Sequence, residues 1–580
     1  MPRRLRTHSA VSALFFGALA ALAPAQCPPN WSSPGFMPLA ASHPVFALEA
    51  FDDGGGVDLY VGGNFTTIGG TAASRIAKWD GLSWSALGAG VNNAVWDMAI
   101  WDDDGSGPHA PALFVAGTFT TAGRTGDTPQ PASRIAKWDG AAWIPLGAGT
   151  NNFVYALEVF DDGLGGGPAL YAAGFFTQAG GANANRIAKW NGVAWSPLGG
   201  GLSGTVFDLE VLDPDASGPE PAALYAGGIF QTAGGTTANN IASWNGSAWI
   251  ALGTGTDERV WTLCAHDDGA GGGTAMYVGG EFQTAGGIVS PHLSKYTPGL
   301  AGAPGTWSSL GGSPNFLVRS LAIAQLNPGA SPALCIGGAF TAIGEVTASR
   351  LATWSVAPGG TQPAFQSVGA APFDGANNLV YDVAVFDDGS LGSDAGPSLY
   401  IGGQFTTAGG HAAANVGRFG PLPPRVMTGP SPFVTTAGRA ATFSVVAESL
   451  SGQSLAHQWF HNGVMLSDGP GVSGATTSSL TLANVQTTDP VADTFGYHAT
   501  VSDGCGQASS APAPLTVLCA ADFNRSGATS SADLTAFLAA WFLDLGGQTL
   551  LSDIDSSGSV GSADMSVFLQ FWFASLASGC

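Results

Sequence analysis

Two twelve-residue stretches near the C-terminus carry the clearest chemistry in the chain. In Asp522-Phe523-Asn524-Arg525-Ser526-Gly527-Ala528-Thr529-Ser530-Ser531-Ala532-Asp533, oxygen-bearing side chains stand at positions 1, 3 and 5, with glycine at 6 and a carboxylate at 12. Thirty-one residues later the pattern returns as Asp553-Ile554-Asp555-Ser556-Ser557-Gly558-Ser559-Val560-Gly561-Ser562-Ala563-Asp564. Hard oxygen donors at this spacing, around a glycine that allows a sharp turn, suit Ca²⁺. Loop one offers two carboxylates and loop two three, so loop two is expected to bind the ion more tightly. The competing reading is an Asp/Ser-rich helical hairpin that binds no metal.

Other acids recur upstream. Asp52-Asp53-Gly54, Asp102-Asp103-Asp104-Gly105, Asp161-Asp162-Gly163, Asp267-Asp268-Gly269 and Asp387-Asp388-Gly389 could hold Ca²⁺, but read more simply as hairpin turns in which Asp caps its own backbone. Asp97, Asp208 and Asp382 share one repeat position, and Glu49, Glu158 and Glu210 share the position two later. Such rings would attract a cation to a central channel if their strand is innermost; otherwise they are merely solvated. The histidines at 43, 109, 266, 292 and 411 occupy unrelated positions, and no carboxylate pair stands alone as a hydrolase pair would.

The elements that must position the C-terminal loops are two apolar helices, Leu534 to Leu543 and Met565 to Leu576, each entered directly from its loop. A duplicated loop-plus-helix without an entering helix, with Asp at position 12, resembles a dockerin, the calcium-dependent module that binds cohesin domains. The resemblance covers 519–580 and implies a ligand set: the side chains of Asp522, Asn524, Ser526, Asp533, Asp553, Asp555, Ser557 and Asp564, with the carbonyls of Ala528 and Ser559. It also places Ser531, Ala532, Ser562 and Ala563 where a cohesin-like partner is read. Serine at position 5 departs from the usual aspartate and removes a charge from each loop. So small a module buries little core, so metal and a Cys519–Cys580 disulfide would both stabilise it; Cys505–Cys519 is the rival pairing.

Upstream, Gly62-Gly63-Asn64-Phe65-Thr66-Thr67-Ile68-Gly69-Gly70 returns six more times, with Phe119, Phe176, Phe230, Phe282, Phe340 and Phe405 in place of Phe65. Successive phenylalanines lie between 52 (Phe230 to Phe282) and 65 (Phe340 to Phe405) residues apart. Around each copy run an apolar strand, the Gly-Gly-x-Phe strand, a strand such as Arg75-Ile76-Ala77-Lys78-Trp79 and a strand such as Trp84-Ser85-Ala86-Leu87-Gly88. Phe46, Leu48 and Ala50, or Tyr155, Leu157 and Val159, would form one packed face of strand one. The stretch resembles kelch-like propellers, which implies a seven-bladed β-propeller over 26–420. The seventh repeat lacks its Trp strand, and Trp31 before Pro38-Leu39 supplies one, so residues 31–39 are expected to close blade seven.

After Pro421, Pro423 and Pro424 the composition shifts to Thr, Ser and Val. Thr442 to Val446, Gln458 to Phe460, Ser479 to Leu482 and Gly496 to Val501 resemble strands B, C, E and F of an immunoglobulin-like (Ig-like) sandwich over 424–517, with Trp459 as the core tryptophan and Asp489 leading to a tyrosine corner at Tyr497. The B–F disulfide is missing, because Ala441 or Phe443 and Ala499 stand where cysteines would be. The expected fold class is therefore mainly β: a seven-bladed β-propeller, an Ig-like β-sandwich and a small α-helical dockerin/EF-hand module.

Composition agrees with a turn-rich β protein: Gly numbers 86 and charged residues make up 10%, against roughly 25% in an average globular protein. The formal charge of −23 argues against nucleic acid and anionic membrane surfaces. Arg3, Arg4 and Arg6 before the apolar Val11 to Ala23, then Ala23-Pro24-Ala25, read as a secretory signal peptide over 1–25. No later apolar run is long enough to span a membrane. Cys264 and Cys335 fall in strands and read as buried small hydrophobes. The expected function is a secreted, extracellular or cell-surface binding and scaffold protein whose cofactor is Ca²⁺ and whose partner is a cohesin-like module, with glycan a further candidate ligand. The alternative is a component of a polysaccharide-degrading system with glycoside hydrolase or carbohydrate-binding activity.

Overall fold

The computed structural model describes residues 29–578 apart from 33–38, 82, 106, 108–109, 126–127, 216–217, 219, 270–272, 301–302, 326–330, 357–362, 370–373, 388–396, 423, 437, 450–452, 486–495, 519–520, 525–528, 546–551, 553 and 555–558. The chain divides into two compact units between Leu422 and Pro423. The signal segment 1–25 and Asp489 lie outside the described residues.

The first unit holds seven four-stranded antiparallel sheets. In sheet one, Val45–Asp52 pairs with Val57–Gly63, which pairs with Ile76–Trp79, which pairs with Trp84–Ala86. The first strands of sheets two to seven are Val95–Trp101, Val154–Phe160, Thr205–Leu212, Val260–His266, Val318–Ala324 and Val380–Phe386. Sheet seven draws its outer strand from the far end of the chain: Asn30–Trp31 lies on Val416–Gly420, with Trp31 opposite Phe419. First strands pack side by side through their side chains, each on the next, and Val380–Phe386 lies against Val45–Asp52.

Local chemistry explains this regularity. Each first strand carries a register shift at its start, as between Val45 and Ala47 or Val380 and Asp382, and stands at the edge of its sheet, so that alternate amides face the neighbouring sheet. Second-strand glycines permit close approach, not positive φ: a Cβ on Gly62 would sit 2.5 Å from Val95 Cγ1, and one on Gly402 2.6 Å from Val45 Cγ1. Tryptophans of the third and fourth strands meet as tilted pairs, such as Trp138 and Trp143 at 5.3 Å. The fourth-strand indoles also donate across to the preceding sheet: Trp143 Nε1 to the Leu87 carbonyl at 2.9 Å, Trp195 to Leu146 at 2.9 Å and Trp31 to Val368 at 3.3 Å.

The family-level expectation is corrected. The chain is mainly β and consists of many small antiparallel sheets, each ending at its own edges. No ladder runs from one sheet into the next, so hydrogen bonding closes no barrel or propeller. The kelch-like seven-bladed β-propeller is therefore replaced by this plainer description. The expected packed face of strand one is corrected too, because the register shift separates its members: Leu48 and Leu157 are buried, whereas Phe46 and Tyr155 are half-buried.

The second unit contains an Ig-like sandwich. One sheet runs Val464–Met465, Ala456–His461, Tyr497–Asp503, Gly506–Ser509, and the other runs Ala441–Ser444, Ser479–Leu482, Val472–Ser473. Phe433–Thr436 pairs in parallel with Leu515–Leu518. Trp459 is fully buried, its indole donating to the Thr477 carbonyl at 2.8 Å, and Phe443 stacks on Tyr497 at 4.8 Å. Ala441 and Ala499 are also fully buried, so packing alone holds the two sheets there. Beyond the sandwich come two helices, α1 (Ser531–Asp544) and α2 (Ser562–Ser578). These are the only two helices among the described residues, so the expected helical dockerin/EF-hand module is corrected to a short C-terminal helical pair.

Candidate functional site

The helical pair positions the loop carboxylates. Phe537 and Phe568 are fully buried and stack at 4.0 Å, with Phe523 edge-on to both at 5.3 and 5.9 Å. Two reciprocal bonds tie each helix to the loop before the other: Trp541 Nε1 donates to the Gly561 carbonyl at 3.0 Å, and Trp572 Nε1 to the Ser530 carbonyl at 2.9 Å. Ser530 caps α1, accepting from the Ala532 amide, while Asp533 reaches back to the Ser530 amide at 2.7 Å in a capping box.

Asp533 is fully buried and also accepts from the Asn524 amide at 3.0 Å. The Asp522 side chain is within hydrogen-bonding reach of the same carboxyl. Burial pushes the Asp533 carboxyl up, but these donors outweigh it and hold it below the ordinary carboxylate range. In loop two, Asp564 is 1% exposed and accepts from the Gly561 amide at 2.8 Å. Two acids converging at the base of a helix, with Asn524 beside them, fit a hard cation. Among the described residues no group of three or more His, Cys, Asp and Glu assembles. Ser526, Ala528, Asp553, Asp555 and Ser557 lie outside the described residues, while Ser559 is described and exposed.

Ser531, Ala532, Ser562 and Ala563 are exposed on the first turns of the helices. Cys505 is disulfide-bonded, and Cys519 and Cys580 lie outside the described residues. Cys264 and Cys335 are buried, and burial pushes the Cys335 thiol up to about 12.

The acids of the first unit have identifiable partners. Asp97 accepts from the amides of Met98 and, one sheet on, Leu157 at 2.7 Å. Asp208 serves Leu209 and Leu263, and Asp382 serves Val383, Leu48 and the Ser320 hydroxyl. Thr262 Oγ1 accepts from Leu321 in the same way. Leu48, Leu157, Leu263 and Leu321 donate these cross-boundary bonds from the unpaired edge of their first strands. The loop acids divide their work: Asp52, Asp161 and Asp267 accept from the glycine amide two residues on, while Asp53, Asp103, Asp162 and Asp268 pair with Lys78, Lys137, Lys189 and Lys295. Burial would raise Asp162, but Lys189, the Leu164 amide and Tyr171 hold it below its ordinary range.

Two repeat-wide positions escaped the sequence reading. Ser42, Asn92, Asn151, Ser203, Asp257, Asn315 and Asn377 each accept from the two amides that follow the Gly-Gly-x-Phe phenylalanine, as Asn92 does from Thr120 and Thr121. The residue that follows the repeat valine of each first strand (Val45, Val95, Val154, Val206, Val260, Val318 and Val380) forms a girdle of half-buried side chains: Phe46, Trp96, Tyr155, Phe207, Trp261, Arg319 and Tyr381. Phe46 stacks on Trp96 at 4.1 Å and meets Tyr381 edge-on at 5.0 Å; Trp96 meets Tyr155, Tyr155 meets Phe207, and Phe207 lies 4.1 Å from Trp261. Arg319 bridges Trp261 and Tyr381, 4.2 and 5.7 Å from their ring centres. Aligning the repeats exposes both positions: the first holds Ser, Asn or Asp throughout, and the second an aromatic ring in every repeat but the sixth, which has Arg319.

No protein-family model matches the chain, and no curated protein matches it. Solved structures similar to it include the titin M10–obscurin-like 1 Ig complex (26% identity, 17% of this chain and 94% of that one, TM-score 0.14) and the Ig1-2 module of the Drosophila receptor protein tyrosine phosphatase DLAR (23%, 17% and 50%, 0.14). A third is the twitchin kinase region of C. elegans (17%, 18% and 18%, 0.15).

Proposed function

We propose that the chain is a secreted, non-catalytic binding and scaffold protein whose C-terminal loops take up Ca²⁺. The observation that carries the metal is the convergence of Asp522 and Asp533, with Asp533 fully buried and oriented by amides. A divalent ion between the two would remove their mutual repulsion and draw in Asn524 and Ser526. Loop two would add Asp553, Asp555, Ser557 and Asp564. The signal-like N-terminus supports export. A non-catalytic role is supported by the repeat acids, whose carboxylates hold backbone amides across sheet boundaries.

The test uses the full chain stripped with chelator and titrated with CaCl₂ by calorimetry. Binding is expected, with a rise in melting temperature and loss of most of the heat in Asp533→Asn/Asp564→Asn. No calcium heat, with identical melts in Ca²⁺ and in excess chelator, would overturn the metal reading. A reducing-sugar assay on soluble polysaccharides tests the rest: release of sugar would defeat the non-catalytic assignment.

A further inference from the structure

Within the girdle, one cation interrupts six aromatic rings. Arg319 makes no hydrogen bond and no ion pair among the described residues; its guanidinium only lies over Trp261 and near Tyr381. This contrasts with the lysines of the same unit, each paired with a loop aspartate, and with Arg259, paired with Glu281 at 3.2 Å. The hydroxyls of Tyr155 and Tyr381 likewise have no partner among the described residues. Tyr155 stands three sheets away from Arg319, yet the charge on Arg319 opposes the rise that burial imposes on its hydroxyl.

Asp208, Asp382 and Glu281 are the acids near the guanidinium, and each is already engaged. Asp208 and Asp382 hold backbone amides, and Glu281 accepts from Trp261 Nε1 at 3.0 Å as well as pairing with Arg259. The fork of Arg319 is left with its donors unassigned, over the face of Trp261 and near the Tyr381 ring, within a girdle whose other aromatic members include Tyr155.

We infer that this girdle binds a small carboxylate, Arg319 gripping the carboxylate and the aromatic rings covering its apolar body. A planar guanidinium matches a carboxylate through two parallel hydrogen bonds, which favours carboxylate over a spherical anion. The formal charge of −23 repels polyanions and favours a monoanion.

Calorimetry on the full chain in chelator, so that the calcium reading does not enter, tests this with benzoate, with benzyl alcohol as a neutral probe of similar shape, and with sulfate. Benzoate is expected to bind at least ten-fold more tightly than either. Arg319→Gln should weaken benzoate at least ten-fold with a melting temperature within a few degrees of the parent, and Tyr155→Phe should weaken it several-fold. Should Arg319→Gln fail to fold, Tyr155→Phe decides. No heat with benzoate, sulfate binding as tightly as benzoate, or variants that bind as the parent does would each overturn the assignment.

Discussion

At the scale of single residues, Asp97, Asp208 and Asp382 act as acceptors for amides on the unpaired edges of neighbouring first strands. Asp208, 6% exposed, accepts from Leu209 at 2.9 Å and Leu263 at 2.7 Å. Asp208→Ala would leave two buried amides without an acceptor, a loss of about 2–4 kcal/mol; urea unfolding of the parent and variant measures it. Asp162 gives a pH signature. Its carboxyl is held below the unfolded value, so the stability it contributes is fully present above ordinary carboxylate pKa values and disappears as pH falls through the lowered folded one. Unfolding free energies between pH 7 and 2 should show this decline, and Lys189→Met should be less stable at pH 7 with a shallower decline. These roles were only partly legible. The Asp-Gly turns announce themselves by composition, but the destination of Asp97, Asp208 and Asp382 depends on which first-strand edge of another sheet faces them, which apolar periodicity does not mark.

Elements interlock in this unit through small residues on one side and indoles on the other. Gly402 allows Val45 to approach across the boundary between sheets seven and one. Gly402→Ala should destabilise by about 1–3 kcal/mol through overpacking, read as a lower denaturant midpoint with an unchanged slope. Trp31 is 3% exposed, packs 5.3 Å from Phe419 and covers Gly409, whose φ is +57°. Trp31→Ala should remove about 3–5 kcal/mol, and thermal unfolding followed by near-ultraviolet circular dichroism tests it. The four strands of each repeat were legible because Gly-Gly-x-Phe and the paired tryptophans mark their ends. The girdle was not, since an alternating pattern assigns Phe46 and Leu48 to one face and the register shift parts them.

Over the whole chain, sequence-level reasoning reached the strands and the sandwich core more securely than the family names attached to them. Trp459 stands out because a buried indole needs both a cavity and a carbonyl, and Thr477 supplies the latter. The dockerin and kelch resemblances rested on short motifs, and a motif constrains a loop or a turn more tightly than the architecture around it. The pairing of Trp31 with Phe419 has a further consequence, in kinetics. Two strands nearly four hundred residues apart in the chain must meet before sheet seven is whole, so the ladder that completes it forms only after residue 420 has emerged from the ribosome. Until then Asn30–Trp31 and Ser398–Gly403 both lack the strand they pair with and present unpaired edges to other chains. Such long-range closure slows folding, and a chain stalled or truncated before residue 420 should aggregate through that edge even though six complete sheets precede it.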